Sequence, residues 1–253
     1  MTIVVNQDRK PSFEGDGSQL LGEVLETRDV DLINRWFDEM ESSGNVPAGY
    51  EPEFEAEGGR LRKLRRLLWM NEEVFGPVLC KSGFCEEALE RIGPSAVVVF
   101  SAAFLKPGQV GTAVAPHQDQ ALWRRTYPKA FSFWVALSDV SPDNGGLHGY
   151  LGQRRTEVVE HRSDAEHAWH PTLSWCRDEL GERYEFNLAP GEAAMWDSFF
   201  VHGSGANTSP VDRRGMVFVA TEGGQEWLEQ EDSVLVTDIL ARWAGAGEKE
   251  PVS

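Results

Sequence analysis

The sequence predicts an α+β protein: helices up to about residue 90, then a β-rich half that closes into a double-sheet barrel or jelly roll. Three observations predict it. Apolar spacing is helical up to residue 93 and turns extended and β-branched from residue 95. The 25 glycines and 13 prolines concentrate after residue 90, as a turn-rich β architecture requires. The later apolar runs are short and separated by Gly, Pro, Asn and Asp.

In chain order, residues 1–16 and 245–253 are polar or glycine-rich and read as flexible tails. Residues 29–44 place Val30, Leu32, Ile33, Trp36, Phe37 and Met40 at helical intervals, and Gly44 stops the helix. Residues 59–80 repeat Leu61, Leu64, Leu67 and Leu68 and predict a second helix, with Arg60, Arg62, Lys63, Arg65 and Arg66 on a solvated face. A third helix is expected over 85–93. The chain turns to β at 95–108, and further strands are expected at 131–138, 184–188, 193–201 and 215–221. With 41% hydrophobic residues and no internal repeat or linker, 1–253 reads as one domain.

A net charge of −17 excludes the basic patches that nucleic acid and anionic membranes select. No run approaches the roughly 18 apolar residues of a spanning helix, and no basic leader opens the chain, so a soluble cytoplasmic protein is expected. Cys80, Cys85 and Cys176 lack C-x-x-C spacing and read as small hydrophobes rather than as disulfides or zinc ligands. The sequence is silent on oligomeric state.

Chemistry concentrates at "APHQDQALW", residues 115–123. An H-x-D pair arises readily by chance among six histidines and needs a third ligand to mean anything. On a strand, alternation would point His117 and Asp119 the same way, and a histidine from a distant strand would complete a facial triad for Fe(II). His202 is the best placed, ending an apolar run at a glycine turn. His161, His167 and His170 lie in a polar segment, where a separate zinc site is the alternative to ordinary exposure. His148 sits in a turn-rich stretch that reads as a lid.

Further motifs follow in order: "FWVALSDV" at 133–140, "NGGL" at 144–147, "APGE" at 189–192, "HGSGANTS" at 202–209 and "RR" at 213–214. Together with "HQD" at 117–119, over about residues 61–221, they resemble the phytanoyl-CoA dioxygenase-like branch of the Fe(II)- and 2-oxoglutarate-dependent oxygenases.

The resemblance implies a double-stranded β-helix (jelly-roll) core with N-terminal helices packed on one sheet. It implies His117, Asp119 and His202 as iron ligands, with Fe(II), 2-oxoglutarate and O2 as cofactor and cosubstrates. It puts Arg213 on the far carboxylate of 2-oxoglutarate, with Arg214 as fallback; a planar guanidinium suits that task. Ser204 is implied as a hydroxyl donor there and Trp134 as a pocket wall. The family's P-G-S-H is missing: Gln153 and Arg154 stand instead, leaving the substrate pocket open. Trp123, His148, Tyr150 and Trp196 are candidate substrate contacts, with Arg124 and Arg125 beside them.

The implied activity is oxidation of a small-molecule metabolite, in natural-product biosynthesis, with release of succinate and CO2. Hydroxylation is the expected outcome because Asp119 is present where halogenating relatives lack a carboxylate. Desaturation, epimerisation, ring formation and demethylation remain open. Two alternatives stand: a jelly-roll metalloprotein without 2-oxoglutarate, such as a cupin-like isomerase or another oxygenase, and a barrel that binds without catalysing.

Overall fold

The computed structural model describes residues 9–123, 126–152, 154–162, 172–173, 180–223 and 233–245. Arg124, Arg125, Gln153, His167, His170 and Cys176 lie outside them.

The chain opens with helix α1 (Phe13–Asp16), strand β1 (Ser18–Glu23) and the long helix α2 (Thr27–Ser43). Strands β2 (Pro52–Phe54) and β3 (Leu61–Arg65) follow, then helices α3 (Leu67–Met70), α4 (Glu72–Lys81) and α5 (Phe84–Arg91). The β-rich half carries β4 (Ala96–Lys106), β5 (Val114–His117), β6 (Phe131–Ala136), β7 (Leu147–Leu151), β8 (His161–Arg162) and β9 (Thr172–Leu173). It continues with β10 (Glu182–Glu185), β11 (Glu192–Asp197), β12 (His202–Ser204), β13 (Arg213–Glu222) and β14 (Val234–Leu235), and ends in helix α6 (Val236–Trp243).

Among the described residues two antiparallel sheets face each other. The larger has the order β1-β11-β6-β13-β4-β3-β2, with β14 on β4, and the smaller is β10-β7-β12-β5. This is the expected jelly roll in an α+β chain. Alternation explains how the central strands are buried on both sides. On β6, Phe131, Phe133 and Val135 join the core under the helices with Ile33, Phe37, Phe75 and Phe84. Trp134 and Ala136 face the smaller sheet beside Phe186, Trp196 and Phe200. β13 divides the same way, Met216 and Phe218 toward the helices and Val217 and Val219 toward the smaller sheet. Helix α2 ends as expected, with Gly44 at φ 62°.

Three expectations are corrected. Residues 61–65 are a strand, not part of a helix. Arg62 is the extra residue of a bulge, since Glu53 pairs Lys63 and Phe54 pairs Leu61. The bulge turns Leu61 and Leu64, three apart, into one core, which imitates helical spacing. The run 193–201 is not one strand: β11 ends at Asp197, whose carboxylate accepts from Phe199 N–H at 3.0 Å, and the chain crosses to the smaller sheet. Within the stretch expected to fray, α1 is capped by Ser12, and Asp16 is buried against Arg9 at 2.6 Å.

Gly215 lets β13 lie on the Trp134 ring: a Cβ there would sit 1.9 Å from the indole. Gly215→Ala is expected to destabilise the fold by about 1–3 kcal/mol, the usual cost of overpacking, read as a lowered urea midpoint at unchanged slope.

Candidate active site

The two sheets position a cluster on the facing edge of the smaller one. His117 closes β5 and His202 opens β12, paired directly across the ladder. Their rings lie 4.5 Å apart. Asp119 is not on the strand with His117, as alternation had suggested, but opens a 3-10 turn, Asp119–Leu122. The turn swings its Oδ1 to 3.6 Å from His117 Nε2 and 3.6 Å from His202 Nε2. One ligand atom from each residue falls within 4.8 Å of the others.

The hydrogen bonds behind the cluster decide what it offers. His117 Nδ1 lies 2.9 Å from the Ala115 carbonyl and His202 Nδ1 3.1 Å from the Phe200 carbonyl. A carbonyl only accepts, so each Nδ1 carries hydrogen. Burial pushes the His202 pKa down to about 4, so the ring is neutral at pH 7 and its Nε2 presents a lone pair. Burial works against the charge of Asp119, but the two rings, which carry charge once acid protonates them, and the Ser132 hydroxyl outweigh it and hold its pKa below the ordinary carboxylate value. Ser132 Oγ donates to Oδ2 at 2.6 Å and Trp196 Nε1 at 3.1 Å, leaving Oδ1 for the cluster. Electron pairs thus converge on one point, an arrangement that fits a divalent cation on two imidazoles and one monodentate carboxylate. Ser132→Ala is expected to weaken metal binding by about tenfold, measured by Co(II) titration, because outer partners of a ligand typically carry that much.

Beside the cluster lies a cationic pole. Arg213 is 1% exposed and donates from one Nη to the Gly145 carbonyl at 2.7 Å. Its Nε and other Nη have no hydrogen-bond partner among the described residues. Burial pushes its pKa down to about 10, which leaves it charged at neutral pH, yet among the described residues no carboxylate pairs it. A buried guanidinium with idle donors fits a ligand carboxylate. Lys106, in register with Arg213, donates to Ser204 Oγ at 2.8 Å and to the Gly205 carbonyl. That leaves the Ser204 hydrogen free to be donated. Trp134 lies with its ring 5.6 Å from the guanidinium. Arg214 points to the other face, bound to Asp38 and Glu41 of α2 at 2.7 Å each, so it is not the pocket arginine.

Cluster and pole open into one cavity of about 290 Å³. Trp123 and Trp196 line it, although Trp196 also packs on His202 with ring centroids 4.6 Å apart. His148 and Tyr150 do not reach it. They stand on the face of β7 opposite Leu147, and Tyr150 packs with Leu173, Leu180 and Val201. Arg154 turns away to Asp197 at 3.1 Å. His161 accepts from Gln118 N–H at 3.1 Å, with Nδ1 2.7 Å from the Val159 carbonyl. Gln118, between His117 and Asp119, is buried and bridges Glu157, Val159 and Phe199. Sequence reasoning missed Ser132, Lys106 and Gln118. Ser132 could have been found by period 2, being on the same face as Trp134; the others carry no local signal. The arginine-rich run was expected on a solvated face, but β3 turns Arg62 and Lys63 into the cavity wall, where both are buried.

The family model for phytanoyl-CoA dioxygenase (PhyH) matches residues 13–215. The chain belongs to this family. Phytanoyl-CoA dioxygenase 1 of Oryza sativa subsp. japonica is 25% identical over 229 residues, 85% of this chain and 79% of the rice protein. Two solved structures share the fold. EctD from S. alaskensis with bound Fe superposes with a TM-score of 0.67 at 18% identity, over 87% of this chain and 79% of its own. The non-heme alpha-ketoglutarate-dependent carbocyclase SnoK from nogalamycin biosynthesis gives 0.65 at 17%, over 83% and 81%. This PhyH chain is a non-haem iron, 2-oxoglutarate-dependent oxygenase with Fe(II), 2-oxoglutarate and O2 as its cofactor set, and the isomerase alternative falls away. Its family acts on small-molecule substrates. Among the described residues no helix is long and apolar enough to cross a membrane.

Proposed function

We propose that this oxygenase hydroxylates a small metabolite in a biosynthetic pathway, with His117, Asp119 and His202 holding iron and Arg213 and Ser204 holding the far carboxylate of 2-oxoglutarate. The observation that carries the reading is the pairing, on one cavity wall, of a converging donor triad with a buried arginine two of whose nitrogens meet no acceptor among the described residues. The natural-product role draws support from SnoK, which belongs to nogalamycin biosynthesis.

Bound iron supplies O2 activation coupled to oxidative decarboxylation, so that R–H, 2-oxoglutarate and O2 give R–OH, succinate and CO2. The protein supplies placement. Arg213 fixes one end of the cosubstrate by charge, Lys106, whose charge burial and Arg213 disfavour, holds the Ser204 oxygen, and Ser204 donates its hydroxyl hydrogen. Trp134 closes the wall behind the guanidinium and keeps water from it. Ser132 and Trp196 hold Asp119 Oδ2, so the carboxylate presents a single oxygen. Val217, Val219, Trp196 and Trp123 supply apolar wall around the site of oxidation, with Arg62 and Lys63 of β3 adding a polar side to the same cavity.

The test is succinate formation under air with Fe(II), 2-oxoglutarate and a panel of small biosynthetic intermediates, with mass spectrometry of the product. A mass gain of one oxygen atom on one compound, in proportion to succinate, supports hydroxylation. Loss of two hydrogens, or succinate without any substrate-dependent rise across the panel, contradicts it.

A further inference from the structure

Of the three donors in the triad, Asp119 alone stands off the sheet. The ladder of β5 and β12 sets His117 and His202, but Asp119 rides on the 3-10 turn, so its Oδ1 must be placed by something else. The residue before it, Gln118, is fully buried, and every one of its polar atoms is engaged. Its carbonyl accepts from Ala121 N–H at 3.1 Å, which closes the turn. Its Oε1 accepts from Val159 N–H at 2.8 Å, and its Nε2 donates to the carbonyls of Glu157 at 3.1 Å and Phe199 at 2.7 Å. An acceptor facing an N–H and two hydrogens facing two carbonyls allow a single orientation of the amide. The Gln118 backbone N–H goes to His161 Nε2 at 3.1 Å. Phe199 lies on the crossing that leads to His202, where the Ser198 carbonyl also accepts from Gln120 N–H at 2.9 Å. Glu157, Val159 and His161 lie together on a strap, residues 154–162, that lines no part of the cavity. The Asp119 turn is thus tied on one side to the segment carrying His202 and on the other to the strap.

We infer that His161 is a positioning residue for the metal centre: its Nε2 holds the Gln118 N–H and thereby sets where Asp119 Oδ1 stands. The inference rests on the function proposed above, because it takes the triad as the iron ligands. His161 Nδ1 lies 2.7 Å from the Val159 carbonyl, so it carries the ring hydrogen and leaves Nε2 bare to accept. The strap itself is fixed to the turn by the Gln118 side chain, which holds that acceptor at one place. Without it the Gln118 N–H is a buried donor with no acceptor, a state costly enough to shift the backbone that carries it. Metal–ligand distances tolerate only about 0.2 Å, so a small shift of the turn is felt at Oδ1. What the centre needs from His161 is an acceptor at a fixed reach, not a ring.

That distinction gives the test: Co(II) titration of the full chain, followed by d–d absorption, in wild type, His161→Phe, His161→Gln and His202→Ala. His161→Phe keeps a flat ring and loses the acceptor. His161→Gln loses the ring and keeps an acceptor, because its Oε1 stands as many bonds from the backbone as the histidine Nε2. The expected result is that His161→Phe weakens Co(II) binding about tenfold or more and changes the shape of the band, the scale on which outer partners of a ligand act. His161→Gln should keep the wild-type band and bind within about threefold of wild type, since the acceptor is restored. A ring that served only to pack would rank the two variants the other way. The inference is overturned if His161→Phe binds Co(II) as wild type does, or if His161→Gln binds no better than His161→Phe. Either result together with lost binding in His202→Ala overturns this inference alone, whereas undiminished binding in His202→Ala removes the centre itself and the proposed function with it.

Discussion

Replacing Arg213 with methionine is expected to abolish 2-oxoglutarate binding while leaving the ligand-free protein no easier to unfold. The two halves follow from one observation. Arg213 is buried and charged, gives one hydrogen bond to a carbonyl and has idle donors on Nε and one Nη. Breaking a buried, hydrogen-bonded charge pair costs about 2–5 kcal/mol, so the KM for 2-oxoglutarate should rise about 30-fold or more. In the ligand-free chain the same guanidinium is an uncompensated charge, and an apolar side chain of similar length relieves its desolvation. A residue placed for structure would behave the other way, with the urea midpoint falling and cosubstrate affinity following it. Isothermal titration with 2-oxoglutarate and urea denaturation of the same two proteins separate the cases.

Asp119→Asn is expected to be the more severe loss for the metal, although it changes only an oxygen to an amide nitrogen. Ser132 and Trp196 both donate to one carboxylate oxygen. In the variant the Trp196 N–H, which can only donate, selects the amide oxygen for that place and Ser132 donates to it as well, which turns the NH2 toward the two Nε2 lone pairs. The amide then hydrogen-bonds both histidines and fills the cation's position with donors. Fe(II) affinity should fall by ~100-fold or more, at the upper end of what removal of a ligand's partners brings, while thermal stability without metal stays level or rises. Equilibrium dialysis and thermal unfolding measure the two quantities. A stable variant that still binds Fe(II) within tenfold of wild type would remove Asp119 from the centre.

How much of this was legible in the sequence depends on whether the information was local. The central strands were readable because their alternation is: "FSFWVA" puts Phe131, Phe133 and Val135 on one face and Ser132, Trp134 and Ala136 on the other. His117 and His202 could be paired only through the order of distant motifs, since their contact is made by the ladder of β5 and β12. β3 was misread because its bulge at Arg62 reproduces a three-residue spacing, and only the pairing with β4 turns Lys63 and Arg65 inward, against Phe104 and Ala102. Lys106 was invisible for the same reason: "LKPG" does not say that its register partner is Arg213. His148 and Tyr150 were misplaced because period 2 on β7 sends them to the far face from Leu147, and the strand itself had been read as a turn.

The proposed centre places iron on His117, Asp119 and His202, with 2-oxoglutarate bound to it beside Arg213. Its most direct test is anaerobic addition of Fe(II) and 2-oxoglutarate, followed by visible absorption, in wild type and in His202→Ala. A weak charge-transfer band that saturates with both additions in wild type and is missing from the variant is the predicted result. A band of equal strength in His202→Ala, or wild type that takes up Fe(II) and shows no band with 2-oxoglutarate, would contradict it.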